Sequence, residues 1–292
     1  MRFSKEKKAR VHVAGTHREF LDMVLRETTP MERTGGLLLV GGSSSRHQVV
    51  RRAQAPIRFD SLTSYWSHAA VVLAWEKDPA RAIGSEVTWE PWLPDRLVSE
   101  RNGVTLFPIS RYAGNPDQYP NLAFASLSFM DPKLESKSQV QTIDYRAVIR
   151  NAALEPNLDR FRYRLLDWLR IWSGYTYQPH GQPNPLLNEV PVPGAAYCEY
   201  AFEAAGIDLT PGATAPNGCP ELLWSTLLYW QKRIGENVQN LKLFKVIRDP
   251  FCRPRKPLPT TLDEDLSEML DQIRRSLPRG PSKDRRTRSE RT

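Results

Sequence analysis

The apolar positions change their spacing part-way along the chain. Between residues 34 and 130 they fall in short runs bounded by Gly, Pro and Ser: 35–42 (GGLLLVGG), 67–73 (SHAAVVL), 83–89 (IGSEVTW), 103–109 (GVTLFPI) and 122–129 (LAFASLSF). Runs of this length between turn residues predict strands, the last of them alternating apolar and polar. Residues 61–66 predict a turn or a short helix. The connections are short, so the strands are expected to form an antiparallel sheet or a small barrel. Ahead of them, 17–26 (HREFLDMVLR) carries Phe20, Met23 and Val24 at helical spacing, with Thr16 as a good N-cap.

Beyond residue 150 the period lengthens. Residues 159–172 (DRFRYRLLDWLRIW) place Phe161, Leu165, Trp168, Leu169 and Trp172 on one side of a helix. A Pro/Gly-rich loop follows over 174–194, then the helical run in PGAAYCEYAFEAAG (193–206). Residues 219–229 (CPELLWSTLLY) predict another helix with Pro220 in its first turn. Residues 241–246 predict a last strand, and 261–276 an amphipathic helix after the proline-rich stretch 250–259. Strands come first and helices second, so the expected fold class is α+β. The expected division is an N-terminal helical extension (1–33), a main domain (34–249), a linker with its helix (250–278) and a basic disordered tail (279–292).

The chain has 292 residues, 40% of them hydrophobic and 25% charged, an ordinary soluble composition with enough material for a real core. The net charge of +8 is uneven. Arg279, Lys283, Arg285, Arg286, Arg288 and Arg291 face only Asp284 and Glu290 in the tail. This tail offers a surface to nucleic acid or an acidic partner, or is simply solvated. No signal peptide is apparent, and no run approaches the roughly 18 apolar residues of a membrane span. The expected location is the cytoplasm. Three cysteines make no disulfide framework, and without a CxxC pair no structural zinc site is expected.

The candidate chemistry centres on Cys198. The run after Pro193-Gly194 places it in the first turn of a helix, where free N–H groups and the positive dipole end favour a thiolate. Such a thiol needs a base. His12 and His17 lie near the N-terminus, and His47 and His180 in polar or Pro/Gly-rich loops. Only His68 opens an apolar strand, sharing a face with Ala70 and Val72. Glu86 on the next strand suits the third role, orienting the imidazole, and Glu90 on the same face is its rival. Taken singly, Cys198 and His68 would each more often be core residues. Cys219 also starts a helix, but no motif supports it, and Cys252 sits in the Pro/Arg-rich linker.

The order Gly-Gly-Leu-Leu-Leu-Val, Ser-His-Ala-Ala-Val-Val, a Glu-bearing strand, Gly-Val, and much later Tyr-Cys-Glu-Tyr ending at Gly206-Ile207 resembles the circularly permuted papain-like cysteine hydrolases. These belong to the bacterial cell-wall peptidase superfamily and are relatives of lecithin:retinol acyltransferase. In this group the His strand precedes the Cys helix. The segment GCPELLWS (218–225) is similar to the helix that follows the nucleophile helix. The resemblance spans roughly 34–230.

It implies a cysteine hydrolase in which Cys198 attacks a carbonyl, His68 moves the proton, Glu86 orients His68 and the Cys198 N–H contributes to the oxyanion hole. The bond cleaved would be a peptide or isopeptide amide, in a peptide, peptidoglycan or acylated substrate, without metal or organic cofactor. The alternatives are an inactive binding or structural module on the same frame, or a lipid acyltransferase or thioesterase. The chain departs from the family pattern in Gly35-Gly36, in Glu199 directly after Cys198, and in Gly-Ser-Glu-Val around Glu86.

Overall fold

The computed structural model describes residues 10–58, 60–87, 92–93, 96–97, 104–127, 145–154, 165–177, 183–188, 190–211, 218–234 and 241–251. The strands are β1 (Val11–Ala14), β2 (Leu37–Gly41), β3 (His68–Ala74), β4 (Ile83–Val87), the two-residue pair β5 (Trp92–Leu93) and β6 (Arg96–Leu97), β7 (Val104–Pro108), β8 (Asn121–Leu127) and β9 (Leu241–Ile247). The helices are α1 (His17–Glu27), α2 (Pro30–Arg33), α3 (Ser45–Ala53), α4 (Ser110–Ala113), α5 (Tyr145–Ala153), α6 (Leu165–Tyr177), α7 (Pro193–Glu203) and α8 (Pro220–Ile234).

The α+β class holds, and the sheet is open rather than a barrel. Seven strands run in the order β1-β9-β8-β2-β3-β4-β7, all antiparallel neighbours except the parallel pair β1–β9 at one edge. Two neighbouring strands carry the site: β3 and β4 pair through Val71↔Ser85 and Val72↔Gly84.

The central strands are buried on both faces, which explains their near-continuous apolar runs. One face presents Leu37, Leu39, Ala69, Val71, Ala123, Ala125 and Leu243 to α3, α5, α6, α7 and α8. The other presents Leu38, Val40, Ala70, Val72, Leu122, Phe124 and Phe244 to α1 and α4, where Phe20, Val24 and Tyr112 pack. The described part of the expected extension, residues 10–33, is therefore not separate from the main domain. β1 extends the sheet, and Phe20 and Val24 of α1 belong to its core. Thr16 caps α1 as expected, its hydroxyl accepting from the Glu19 N–H at 3.1 Å.

His47, expected in a loop, lies in α3 and is buried. The helix carries polar side chains inward because each finds a partner. His47 Nδ1 meets Ser67 Oγ at 2.7 Å, and Ser67 Oγ also accepts from the Gly42 N–H at 3.2 Å. The fully buried Arg51 pairs with Asp249 at 2.8 Å and donates to the Ser64 carbonyl at 2.9 Å. These bonds fix the end of β2 and the approach to β3, and so the position of His68. No helix among the described residues is long and apolar enough to cross a membrane. The compact unit ends at Cys252. The expected helix over 261–276 and the basic tail fall in 253–292, outside the described residues, as do Glu90 and His180.

Candidate active site

His68 and Glu86 come together as the strand pairing anticipates. Both point to the face that also carries Ala70 and Tyr112, and His68 Nε2 lies 2.8 Å from Glu86 Oε2. Glu86 is fully buried and is met by two further donors, the Tyr112 hydroxyl at 2.5 Å and Arg111 Nη1 at 3.1 Å. With donors on every side the carboxylate only accepts, so Nε2–H donates to it. Arg111 and Tyr112 lie on α4, directly after β7. They complete the carboxylate's shell and were not singled out from the sequence. The available signal was a basic and an aromatic residue just past a strand that neighbours Glu86.

The other ring nitrogen sets the character of the site. His68 Nδ1 is buried and, among the described residues, has no hydrogen-bond partner. What lies against it is Gly194. A Cβ on that residue would stand 2.6 Å from Nδ1 and from Cε1 of His68, and 2.5 Å from the Ala69 carbonyl oxygen. Only a residue without a side chain lets the start of α7 pass this close to β3.

Cys198 occupies a different place from the one its motif suggests. α7 begins at Pro193, not after a Pro-Gly turn, with Val192 as its N-cap and proline in its first turn. Cys198 is therefore in the second turn. Its N–H falls within the helical ladder rather than among the free N–H groups of the helix start, and it is not an oxyanion-hole donor there. Cys198 belongs to the core cluster that also holds Ala69, Val71 and Leu223, distinct from the cluster of Ala70 and Tyr112 on the other sheet face. No hydrogen bond joins it to His68 among the described residues. Burial pushes the Cys198 thiol well above its ordinary value, and the charges of Glu199 and Glu86 add to this. Cys219, also buried at the start of a helix, is pushed up to about 12 by the same desolvation.

The surroundings of α7 are built for packing. Every residue from Pro193 to Glu199 is buried, as expected of a helix enclosed on all sides. The Tyr197 hydroxyl reaches Ser85 Oγ at 2.6 Å and donates to the Ala153 carbonyl at 2.7 Å, tying α7 to β4 and α5. Glu199 is buried one position after the cysteine and accepts from the Thr210 hydroxyl. Gly206 takes φ +76°, the left-handed conformation that lets the chain turn after α7. Among the described residues no cluster of His, Cys, Asp or Glu is arranged to hold a metal ion.

Neither a family model, nor a curated protein, nor a solved structure matches the chain.

Proposed function

We propose that this chain is a permuted papain-like domain that binds a peptide or acyl-amide ligand without cleaving it. The observation that carries this reading is that His68 Nδ1 is packed against Gly194 and, among the described residues, bonds to no thiol. A cysteine nucleophile acts as the thiolate, and it needs a base within hydrogen-bond reach to take its proton. Cys198 lies a full helical turn beyond Gly194, roughly 6 Å along the helix. Its desolvated, protonated thiol is the inert kind that belongs to a core. The His68–Glu86 pair, with Arg111 and Tyr112 behind it, is the half of a hydrolase site that this chain retains.

The ligand class comes from the resemblance to cell-wall peptidases, whose substrates are peptides. Purified peptidoglycan tests the reading. The chain is expected to co-sediment with it while mass spectrometry of the supernatant finds no amide-cleaved fragments. Fragments whose release is lost in Cys198→Ala would overturn the reading in favour of hydrolysis. Failure to sediment would reject this ligand class.

A further inference from the structure

We propose that the outer edge of β7 is a docking site for an extended, uncharged polypeptide segment, which adds to the sheet as a further strand next to the one that pairs with Glu86. The inference rests on the reading of this chain as a peptide-binding module and narrows the ligand to a backbone in the β conformation.

The strand pairing shows which groups are on offer. β7 is the last strand of the sheet and, among the described residues, pairs only with β4, through Ile83↔Pro108, Gly84↔Phe107, Ser85↔Leu106, Glu86↔Thr105 and Val87↔Val104. In the same register the Ile109 N–H donates to the Ala82 carbonyl at 2.9 Å. Hydrogen-bonded pairs alternate along an antiparallel ladder, so Phe107 and Thr105 also bond inward to β4. Val104, Leu106 and Pro108 therefore turn their backbone groups outward, with proline contributing a carbonyl but no N–H. A row of such groups at strand spacing matches one ligand chemistry, another extended backbone.

The side chains favour an apolar, neutral occupant. Leu106 is 60% exposed and Ile83 43%, both on the face that carries Val87 and Val104. The exposed Leu154 follows Ala153, whose carbonyl accepts from Ser85 Oγ, and Ser85 is the residue paired with Leu106. Sheet edges are commonly guarded by lysine or other charges. β7 (VTLFP) carries none, so its edge complements an uncharged segment better than an acidic or basic one. Pro108 selects against a second copy of this chain. Two β7 strands paired about Leu106 would set each Pro108 against the Val104 carbonyl of the other, and both carbonyls would lack a donor.

The probe is the capped, fluorescein-labelled peptide Gln-Val-Thr-Val-Thr-Val-Gln, with binding read by fluorescence polarisation. Its three valines stand opposite Val104, Leu106 and Pro108 and its threonines opposite Thr105 and Phe107. In that register the valine N–H groups face β7 and the threonine N–H groups face away, and a one-residue slip would put every side chain on the wrong face. N-methylation of the central valine is expected to weaken binding at least about tenfold, and N-methylation of both threonines less than about twofold. Leu106→Pro removes an outward N–H that β4 does not use, and is expected to weaken binding of the unmethylated peptide at least about tenfold. Should that variant fail to fold, the methylated peptides decide the matter on the unaltered chain.

No saturable binding of the unmethylated peptide, or equal effects of the two methylations, overturns the proposal. Concentration-dependent dimerisation that Leu106→Pro abolishes, without peptide binding, overturns it in favour of a second copy. The two readings fail separately. Sedimentation with peptidoglycan alongside equal methylation effects rejects only the β7 edge, whereas valine-specific methylation effects without sedimentation reject peptidoglycan and keep the edge.

Discussion

Glu86→Ala is expected to destabilise the fold by about 3–5 kcal/mol, the usual cost of removing one partner from a buried charged network. The carboxylate is fully buried and is the shared acceptor for His68 Nε2, the Tyr112 hydroxyl and Arg111. Its loss takes the acceptor from His68 Nε2–H in a place where water does not readily substitute, and removes one charged acceptor from Tyr112 and from Arg111. A loss of this size approaches the whole stability of a typical domain, about 5–15 kcal/mol. Glu86→Gln retains shape and one acceptor oxygen, so it is expected to cost about 1–3 kcal/mol. Urea denaturation of the two variants and the unaltered chain checks both. A loss below about 0.5 kcal/mol for Glu86→Ala, the scale of a surface substitution, would show that this network does not hold β3, β4 and α4 together.

The second large effect is a dependence of stability on pH that originates one residue from the cysteine. Burial pushes the Glu199 carboxyl up from its ordinary 4.5 to about 7, with the charges of Asp208 and Glu203 adding to the shift, while hydrogen bonds from Thr210 and the Leu209 N–H pull the other way. The sign follows from proton binding. Between these two values the folded chain holds a proton at Glu199 that the unfolded chain has released, so stability falls as pH rises. The contribution is fully present below about pH 4.5 and is lost as pH climbs to about 7. At about 1.4 kcal/mol per pH unit, the loss across this window comes to about 3 kcal/mol. Glu221, raised by burial beside Ser64, adds to the same slope. Denaturation midpoints measured through this window are expected to fall with pH in the unaltered chain and to fall less steeply in Glu199→Gln, which keeps an acceptor for Thr210 but does not titrate. An identical slope in the variant would remove Glu199 from this account.

The parts of the fold that the sequence made legible are those whose signals are local. Apolar runs between Gly and Pro located the central strands, and their adjacency placed His68 beside Glu86. β1 was not legible, because four residues that begin 230 positions before their partner strand carry no local mark of the parallel pairing Val11↔Leu243. α3 was hidden for a different reason. SRHQVVRRA reads as a polar loop, and it becomes a buried helix only because His47 and Arg51 find Ser67 and Asp249. This is a tertiary override of composition.

At the site the decisive misreading was a helix start. Pro-Gly signals a turn, but proline at the first helical position is equally a helix signal, and α7 begins there. Moving that boundary carries Cys198 from the first turn to the second. The residue that faces His68 was invisible for a simpler reason: glycine has no side-chain chemistry to draw attention, and its role appears only when a strand carbonyl and an imidazole are found where its Cβ would be.

The central claim is that neither Cys198 nor Cys219 is paired with His68. It is tested most directly by the pH profile of iodoacetamide alkylation at Cys198, in the unaltered chain and in His68→Ala, with Cys219 as the internal reference. The account predicts a Cys198 that is unreactive well above the ordinary thiol value of about 8.5 and unaffected by the loss of the imidazole. Alkylation of Cys198 below that value, abolished in His68→Ala, would contradict it and establish a thiolate–imidazolium pair.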